Sequence, residues 1–292
     1  MKYLSVEEIA EQWQISVRSV RNYCQQGRVT GAKLEGHSWQ IPENAFKPQR
    51  LNGKNLLQQS ILERLRAERN AHVAGGLYHR LQIDMTYNSN HIEGSTLTHE
   101  QTRYIFETNT VANERGHGIK VDDIVETANH FRCIDMVLDN ARNPLTEHFI
   151  KELHRTLKTG TQDSRKAWFA VGDYKKLPNF IGGDKSTMAP EKVGQALKKL
   201  LQKYNAKKKQ SFKDLVKFHY EFESIHPFQD GNGRIGRLLL LKECLRWNIV
   251  PFIVEDEDKY YYYRGLQEYG EGNVERLEAV FLHAQDKFKA MM

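Results

Sequence analysis

Residues 226–237 read HPFQDGNGRIGR, and this stretch decides how the second half of the chain folds. Pro227 disfavours helical backbone at the residue before it, so the amphipathic segment that runs up to Ile225 should end as a helix at His226. The glycines that follow can adopt a tight turn with positive φ, and the apolar spacing beyond them restarts a helix. The pattern predicts two helices joined by a loop, with the N-terminus of the second helix facing that loop.

The same stretch places several kinds of polar group next to one another. His226 is a candidate base, and Asp230 is a carboxylate of the kind that Mg²⁺ prefers. Bare N–H groups at a helix N-terminus bind anions, and Arg234 and Arg237 share one helix face. Each residue alone has an ordinary explanation as a cap, a turn or a solvated helix face. No structural need requires all of them together, so the pattern predicts a phosphate-binding site.

This stretch resembles the signature of the Fic family, HPFx(D/E)GNGRxxR, at every specified position. The resemblance implies an enzyme that moves AMP from ATP onto a hydroxyl of a target protein. His226 would take the proton from a Tyr, Ser or Thr of that target, and Asp230 would hold Mg²⁺ against the phosphates. The residues that would contact the phosphates are Gly231, Asn232, Gly233 and Arg234, the last of them neutralising the pyrophosphate that leaves. Phe228 is expected to pack under the loop.

A second motif lies upstream, where residues 89–94 read SNHIEG. Ser89 and Glu93 share one face of a helix expected near residues 86–94, and Gly94 suits its end. The stretch resembles the (S/T)xxxE(G/N) inhibitory motif of Fic proteins. That resemblance implies that Glu93 pairs with Arg237 and displaces the γ-phosphate of ATP, because a bidentate carboxylate and a bidentate phosphate compete for one guanidinium. It also leaves self-AMPylation and the reverse removal of AMP open.

Two further segments resemble parts of the same family. Residues 172–183 resemble its β-hairpin flap, which aligns the target segment by strand addition, although many relatives carry Arg where Lys175 stands. Residues 260–266 resemble the family's YYxxL segment, and Tyr263 is the expected contact to adenine. Gly270 departs from relatives that have Asn there, which leaves the base preference open.

The first fifty residues form a separate pattern. Ser5 with Glu8 makes a capping box that opens one helix, and Ser16 caps a second helix expected to end at Gly27. Extended residues around Gly36 then suggest a small β-hairpin. The segment resembles the winged helix-turn-helix of the excisionase/MerR type over residues 3 to about 46. The resemblance implies DNA contacts from the exposed side of the second helix, by Arg18, Arg21, Asn22 and Gln25. An ordinary solvated helix is the structural alternative.

Length and composition bound the remaining possibilities. The 292 residues leave room for a winged helix-turn-helix domain over 1–48 and a mainly α-helical Fic-type domain over 49–292, joined by a polar linker near 48–55. Helical periodicity is expected over 121–138, 145–157, 193–204 and 277–288. The net charge of +6 permits nucleic-acid or acidic partners. Three widely spaced cysteines favour no disulfide or zinc site, which fits the cytoplasm. No apolar segment suits a membrane, and a homo-oligomer stays open.

Two other functions compete with AMP transfer to protein. A transcription regulator could use the helix-turn-helix as its working part and the Fic domain as a nucleotide sensor. Another phosphate-group transfer to protein is the second alternative, as in the kinase-like Doc branch. That branch has Lys in place of the second loop glycine, so Gly233 argues against it.

Overall fold

The computed structural model describes residues 2–25, 28–36, 38–48, 60–111, 116, 118–181 and 185–292. The chain is mainly helical, as predicted, with a small three-stranded sheet, and it divides into two compact units, Met1–Arg80 and Leu81–Met292. Most of the expected linker near residues 48–55 lies outside the described residues, as do Gly27 and the end expected for the second helix. The boundary between residues 48 and 49 therefore stays a prediction.

The first unit combines short helices with the three-stranded sheet. Its helices are α1 (Val6–Trp13), α2 (Val17–Gln25) and α3 (Ile61–Asn70), and its strands are β1 (Tyr3–Leu4), β2 (Lys33–Glu35) and β3 (Ser38–Pro42). The strands are antiparallel in the order β1-β3-β2. The capping box of Ser5 and Glu8 and the cap at Ser16 are present as expected. Ile9, Val20 and Ile41, each fully buried, make the centre of its core.

The second unit is a helical assembly with one small hairpin. Helix α4 (Leu77–Ile92) leads into it. The helices that follow are α5 (His99–Thr108), α6 (Val121–Asn140), α7 (Glu147–Lys158), α8 (Pro190–Ala206), α9 (Phe212–Ile225), α10 (Asn232–Trp247), α11 (Lys259–Gly270) and α12 (Glu275–Met291). The antiparallel strands β4 (Phe180–Ile181) and β5 (Lys185–Ser186) form the hairpin. All four segments expected to be helical are helices. Among the described helices, none has the length and apolar character that a membrane span needs.

Helix α10 is the central element of the second unit. It packs against α6, α7 and α9, and its apolar run from Leu238 to Leu241 is at most 2% exposed. Its polar positions are buried as well, including the ion pair of Lys242 and Glu243. A helix buried on every side has little freedom to move, because protein interiors pack as densely as organic crystals. The loop that precedes its N-terminus is therefore attached to a rigid helix.

Buried histidines give the folded state a strong dependence on pH. Burial lowers the pKa of His130, His154 and His219 to about 3 and that of His226 to about 4. The unfolded chain protonates all four near pH 6.5, whereas the folded protein does not. Glu223 has the opposite effect. Burial raises its pKa to about 8, so the folded protein keeps a proton on this carboxyl that the unfolded chain has lost. The unfolded chain therefore binds up to three more protons than the folded protein between about pH 6 and 4.5.

We expect the free energy of unfolding to fall as the pH falls through this window, by up to about 4 kcal/mol per pH unit. The sign follows from the extra protons bound by the unfolded chain, which acid favours. Urea unfolding curves at pH 7, 6 and 5 measure the effect. A free energy of unfolding that is constant from pH 7 to pH 5 would contradict the burial of neutral histidines.

Candidate functional site

The loop between α9 and α10 has the geometry that its sequence predicts. Helix α9 ends at Ile225, and His226 adopts a left-handed conformation, with φ 51° and ψ 63°, while its N–H bonds to the Phe222 carbonyl at 3.0 Å. Gly231 precedes α10 with φ 82°, a conformation that favours glycine. Gly233 lies within the helix and is needed for a different reason. A Cβ at this position would overlap the carboxylate of Glu93.

Asn232 and Phe228 hold the loop in its conformation. The Asn232 amide accepts from the Phe228 N–H at 2.7 Å and donates to the Phe228 carbonyl at 2.8 Å. The side chain of Asn232 is therefore committed to the loop itself, so only the backbone of residues 231–233 is available to cradle a phosphate. Phe228 is fully buried and stacks on His154 with ring centres 3.9 Å apart, which confirms that it packs under the loop.

His226 lies in the loop as a neutral base. Burial lowers its pKa to about 4, and the nearby ammonium of Lys175 acts in the same direction. The main-chain carbonyl of Glu223 acts in the opposite direction but does not restore the ordinary value. A histidine with this pKa is unprotonated near neutral pH, so it can accept a proton from a hydroxyl.

Asp230 lies between two cations. Its Oδ2 atom accepts from Lys158 Nζ at 2.7 Å and from Arg234 at 3.2 Å. Burial would raise the pKa of this carboxyl, but Arg234 and Lys158 outweigh it and hold the pKa well below the usual range. Glu126 bonds to the same two cations and completes the network. Asp230 is thus ionised and, at 46% side-chain exposure, still reaches solvent.

Sequence reasoning missed Glu126 and Lys158, although both are part of this network. Lys158 is the last residue of α7, 72 residues before Asp230, and its side chain is 2% exposed. Glu126 lies on α6, 108 residues before Arg234. Neither position belongs to a local motif, because packing of α6 and α7 against α10 brings them together. Arg234 was expected to neutralise the leaving pyrophosphate, and in this structure its two terminal nitrogens are bound to Glu126 and Asp230.

The two motifs meet at Arg237, whose side chain is 5% exposed. Its terminal nitrogen donates to Glu93 Oε1 at 2.7 Å and to the Ser89 carbonyl at 2.9 Å, and its Nε donates to the Ser89 hydroxyl at 2.9 Å. The expected bidentate carboxylate is replaced by one carboxylate oxygen and two oxygens of Ser89. Burial opposes the charge of Arg237, but Glu93 outweighs it and raises the guanidinium pKa. Gly94 follows α4 with φ 96°, as expected for a helix end.

The predicted adenine contact is near the same place. Tyr263 lies on α11, is 39% exposed, and is close enough to Glu93 and Arg237 to interact with their charges. Its neighbour Tyr262 is buried instead and shares a hydrogen bond of 2.7 Å with His219. At the end of α11, a Cβ on Gly270 would lie 2.7 Å from the Tyr220 hydroxyl. An asparagine at 270 would therefore require Tyr220 to move.

The predicted DNA contacts belong to the first unit. Arg18, Arg21, Asn22 and Gln25 are all exposed on α2, as expected for that helix face. Arg21 pairs with Glu7 at 3.3 Å, a surface ion pair that contributes little to stability. These four side chains thus form one polar surface that is open to solvent.

Comparison with known proteins identifies the second unit's domain. Residues 144–244 match the model of the Fic/DOC family. The protein adenylyltransferase Fic of Aedes aegypti is 30% identical over 202 residues, which cover 66% of this chain and 38% of that protein. The corresponding protein of Nematostella vectensis is 28% identical over 195 residues, 64% of this chain and 43% of that one. The chain thus spans about two fifths of the length of the curated relatives it matches.

Solved structures share the fold over a larger part of the chain. A Fic domain containing signaling protein from Bacteroides thetaiotaomicron superimposes with a TM-score of 0.64 at 25% identity, over 81% of this chain and 90% of that one. A Fic family protein from Desulfovibrio desulfuricans gives 0.62 at 22% identity, over 84% and 76%. The matched family model shows that residues 144–244 form a Fic/DOC family domain, and the solved structures share the fold over a larger part of the chain.

Proposed function

We propose that this protein transfers AMP from ATP to a Tyr, Ser or Thr hydroxyl of a target protein. The observation that carries the proposal is a neutral base, His226, in the short loop that leads to the N-terminus of α10. No side chain of the described residues caps that N-terminus. A base and an anion-binding helix end are what phosphoryl-type transfer needs. The adenylyltransferase name of the sequence relatives supports the choice of AMP as the group transferred.

At the α-phosphorus, the proposed reaction forms one bond and breaks one. The target hydroxyl oxygen bonds to the α-phosphorus of ATP as its proton passes to His226, and the bond between the α-phosphorus and the bridging oxygen of pyrophosphate breaks. Backbone N–H groups of residues 231–233 would hold the phosphates, because the first N–H groups of a helix have no partner within it. The charge of Arg234 would stabilise the leaving pyrophosphate while its nitrogens hold Glu126 and Asp230.

Asp230 fits a Mg²⁺ ion that arrives with the nucleotide. It is ionised and partly exposed, and a single carboxylate together with phosphate oxygens and water suits this cation. The described residues contain no group of three or more potential metal ligands that would bind an ion alone. When bound, Mg²⁺ would neutralise charge that develops on the phosphates.

We expect His226→Ala to lower AMP transfer by about 10²–10⁴-fold while ATP still binds, because the variant loses the base and keeps the helix N-terminus. Labelling of host-lysate protein with α-³²P-ATP and with γ-³²P-ATP measures it in the Glu93→Gly background, which removes the inhibitory contact proposed below, with the exposed His148→Ala as a control. Label from α alone supports AMP transfer. Label from γ alone would show phosphorylation instead, and no label from either would favour the nucleotide-sensing regulator.

The pair of Glu93 and Arg237 is proposed to inhibit this activity. Arg237 is buried and its charge is satisfied by Glu93 and Ser89, so it is unavailable to the γ-phosphate of ATP while the pair persists. A pair worth about 3 kcal/mol would leave under about one per cent of molecules competent. Modest loosening of the pair would therefore activate strongly. The same carboxylate could serve the reverse removal of AMP, and the activated form could label itself.

Glu93→Gly should raise AMP labelling by about tenfold or more, because the guanidinium becomes free for ATP. Arg237→Ala should stay weak, and the double variant should match Arg237→Ala, since both residues serve one interaction. AMP incorporated per minute is the measurement. Glu93→Gln keeps the shape of the side chain and removes its charge, so it separates the effect of the charge from the effect of losing the side chain. A folded Glu93→Gly protein that labels no faster than wild type would refute the inhibitory pair.

We further propose that the first unit binds DNA. Two short helices followed by a β-hairpin, with Arg18, Arg21, Asn22 and Gln25 exposed on the second helix, support this proposal. Residues 1–48 contain six Lys and Arg against five Glu, a net charge of only +1, so the exposed side chains on the second helix support this proposal more than the net charge does. The three buried free cysteines suit the reducing cytoplasm, which is the location that we propose for this protein.

Arg18→Ala combined with Arg21→Ala should weaken DNA binding and reduce its salt slope by about two, because two phosphate-neutralising charges are lost. Filter binding against genomic fragments at several salt concentrations measures the slope. Lys208→Ala combined with Lys209→Ala removes the same charge from the second unit and serves as the control. If both double variants weaken binding equally, the α2 surface has no special role.

A further inference from the structure

Lys175 is a buried cation with neutral partners. Its residue is 2% exposed, and its ammonium donates to Asn179 Oδ1 at 2.8 Å and to the Thr187 hydroxyl at 2.6 Å. Burial lowers its pKa to about 8. Burying an ammonium without a carboxylate is costly, so a role for its geometry is expected.

The two partners of Lys175 lie at the open end of the hairpin. Asn179 directly precedes β4, and Thr187 directly follows β5. The Thr187 N–H donates to the Asn179 carbonyl at 3.2 Å, and the Thr187 hydroxyl lies within hydrogen-bond distance of Asn179 as well. The ammonium therefore ties together the residues where the chain enters and leaves the hairpin.

The same group of residues holds the loop that carries His226. The Asn179 amide donates to the carbonyls of Phe228 and Gln229, at 3.0 and 3.2 Å. The Lys175 N–H donates to the Pro227 carbonyl at 2.9 Å. Three consecutive carbonyls directly after the proposed base are thus bound by donors from the base of the hairpin.

We propose that Lys175, Asn179 and Thr187 form a clamp that fixes the β4–β5 hairpin relative to His226. The clamp rests on the proposed function and on the resemblance of residues 172–183 to a flap that would align the target hydroxyl with this base. Its members are positioning residues, because none of them needs to touch the target or ATP. Holding reacting groups in place contributes strongly to rate, so loosening the clamp lowers transfer to protein more than it lowers ATP binding.

The test separates the clamp from the reaction by using two readouts on the full-length chain. Asn179→Asp keeps an acceptor for Lys175 and loses the amide donor to the loop, whereas Lys175→Met removes the ammonium and Lys175→Arg retains charge and donors. Asn205→Ala is the control, because its amide also donates to a carbonyl, that of Leu145 at 2.8 Å. The first readout is amide hydrogen exchange at Lys175 and Thr187, measured without nucleotide.

We expect Asn179→Asp and Lys175→Met to speed exchange by about tenfold at one or both of these amides, and the control to leave it unchanged. Combined with Glu93→Gly, both should lower AMP labelling by about tenfold, with the Kd for ATP within about twofold and with recovery in Lys175→Arg. Unchanged exchange in both variants, or faster exchange with undiminished labelling, overturns the clamp. If Glu93→Gly itself transfers no AMP, the proposed function fails, and the exchange rates alone decide whether the hairpin is clamped to the loop.

Discussion

The buried guanidinium of Arg237 requires an anionic partner, and the arrangement of the site depends on which group provides it. It is 5% exposed on the most buried helix of the second unit, so water cannot satisfy it. Glu93 and Ser89 supply three oxygens to it in this structure. A nucleotide phosphate could supply the same kind of group. We propose that these two anions exclude each other, because both need the same guanidinium donors. Under that proposal, the anion that occupies this one cation sets the activity.

A second group of paired charges surrounds Asp230 in the same loop. Asp230 is stabilised by Lys158 and Arg234, and Glu126 balances the charge of those cations. The network keeps Asp230 ionised and oriented before any ligand arrives. Electrostatic stabilisation by such preorganised groups is usually the largest single contribution to enzyme catalysis. His226 has the opposite requirement, since burial keeps it neutral. One loop therefore holds an ionised carboxylate and an unprotonated imidazole under the same conditions.

Local sequence predicted the features that depend on local geometry. Pro227 and Gly231 were enough to place the end of α9 and the start of α10, because their backbone preferences are intrinsic. The pairing of Glu93 with Arg237 came from the family resemblance and could not be obtained from i, i+4 spacing. Its single carboxylate oxygen could not be foreseen either, because Ser89 takes Nε and shares one terminal nitrogen with Glu93, while the other terminal nitrogen has no hydrogen-bond partner among the described residues. The roles of Lys158 and Asn179 depend on helices and a hairpin that meet only in the folded chain.

If Glu93 occupies the place of the γ-phosphate, it should affect the affinity for ATP and leave the affinity for ADP unchanged. Isothermal titration calorimetry of wild type and Glu93→Gly with each nucleotide in excess Mg²⁺ gives four values of Kd. Competition for Arg237 predicts that Glu93→Gly binds ATP about tenfold or more tightly than wild type, while the Kd for ADP, which has no γ-phosphate, changes by less than about twofold. Equal changes for both nucleotides, or no change for either, would show that Glu93 does not occupy the γ-phosphate position.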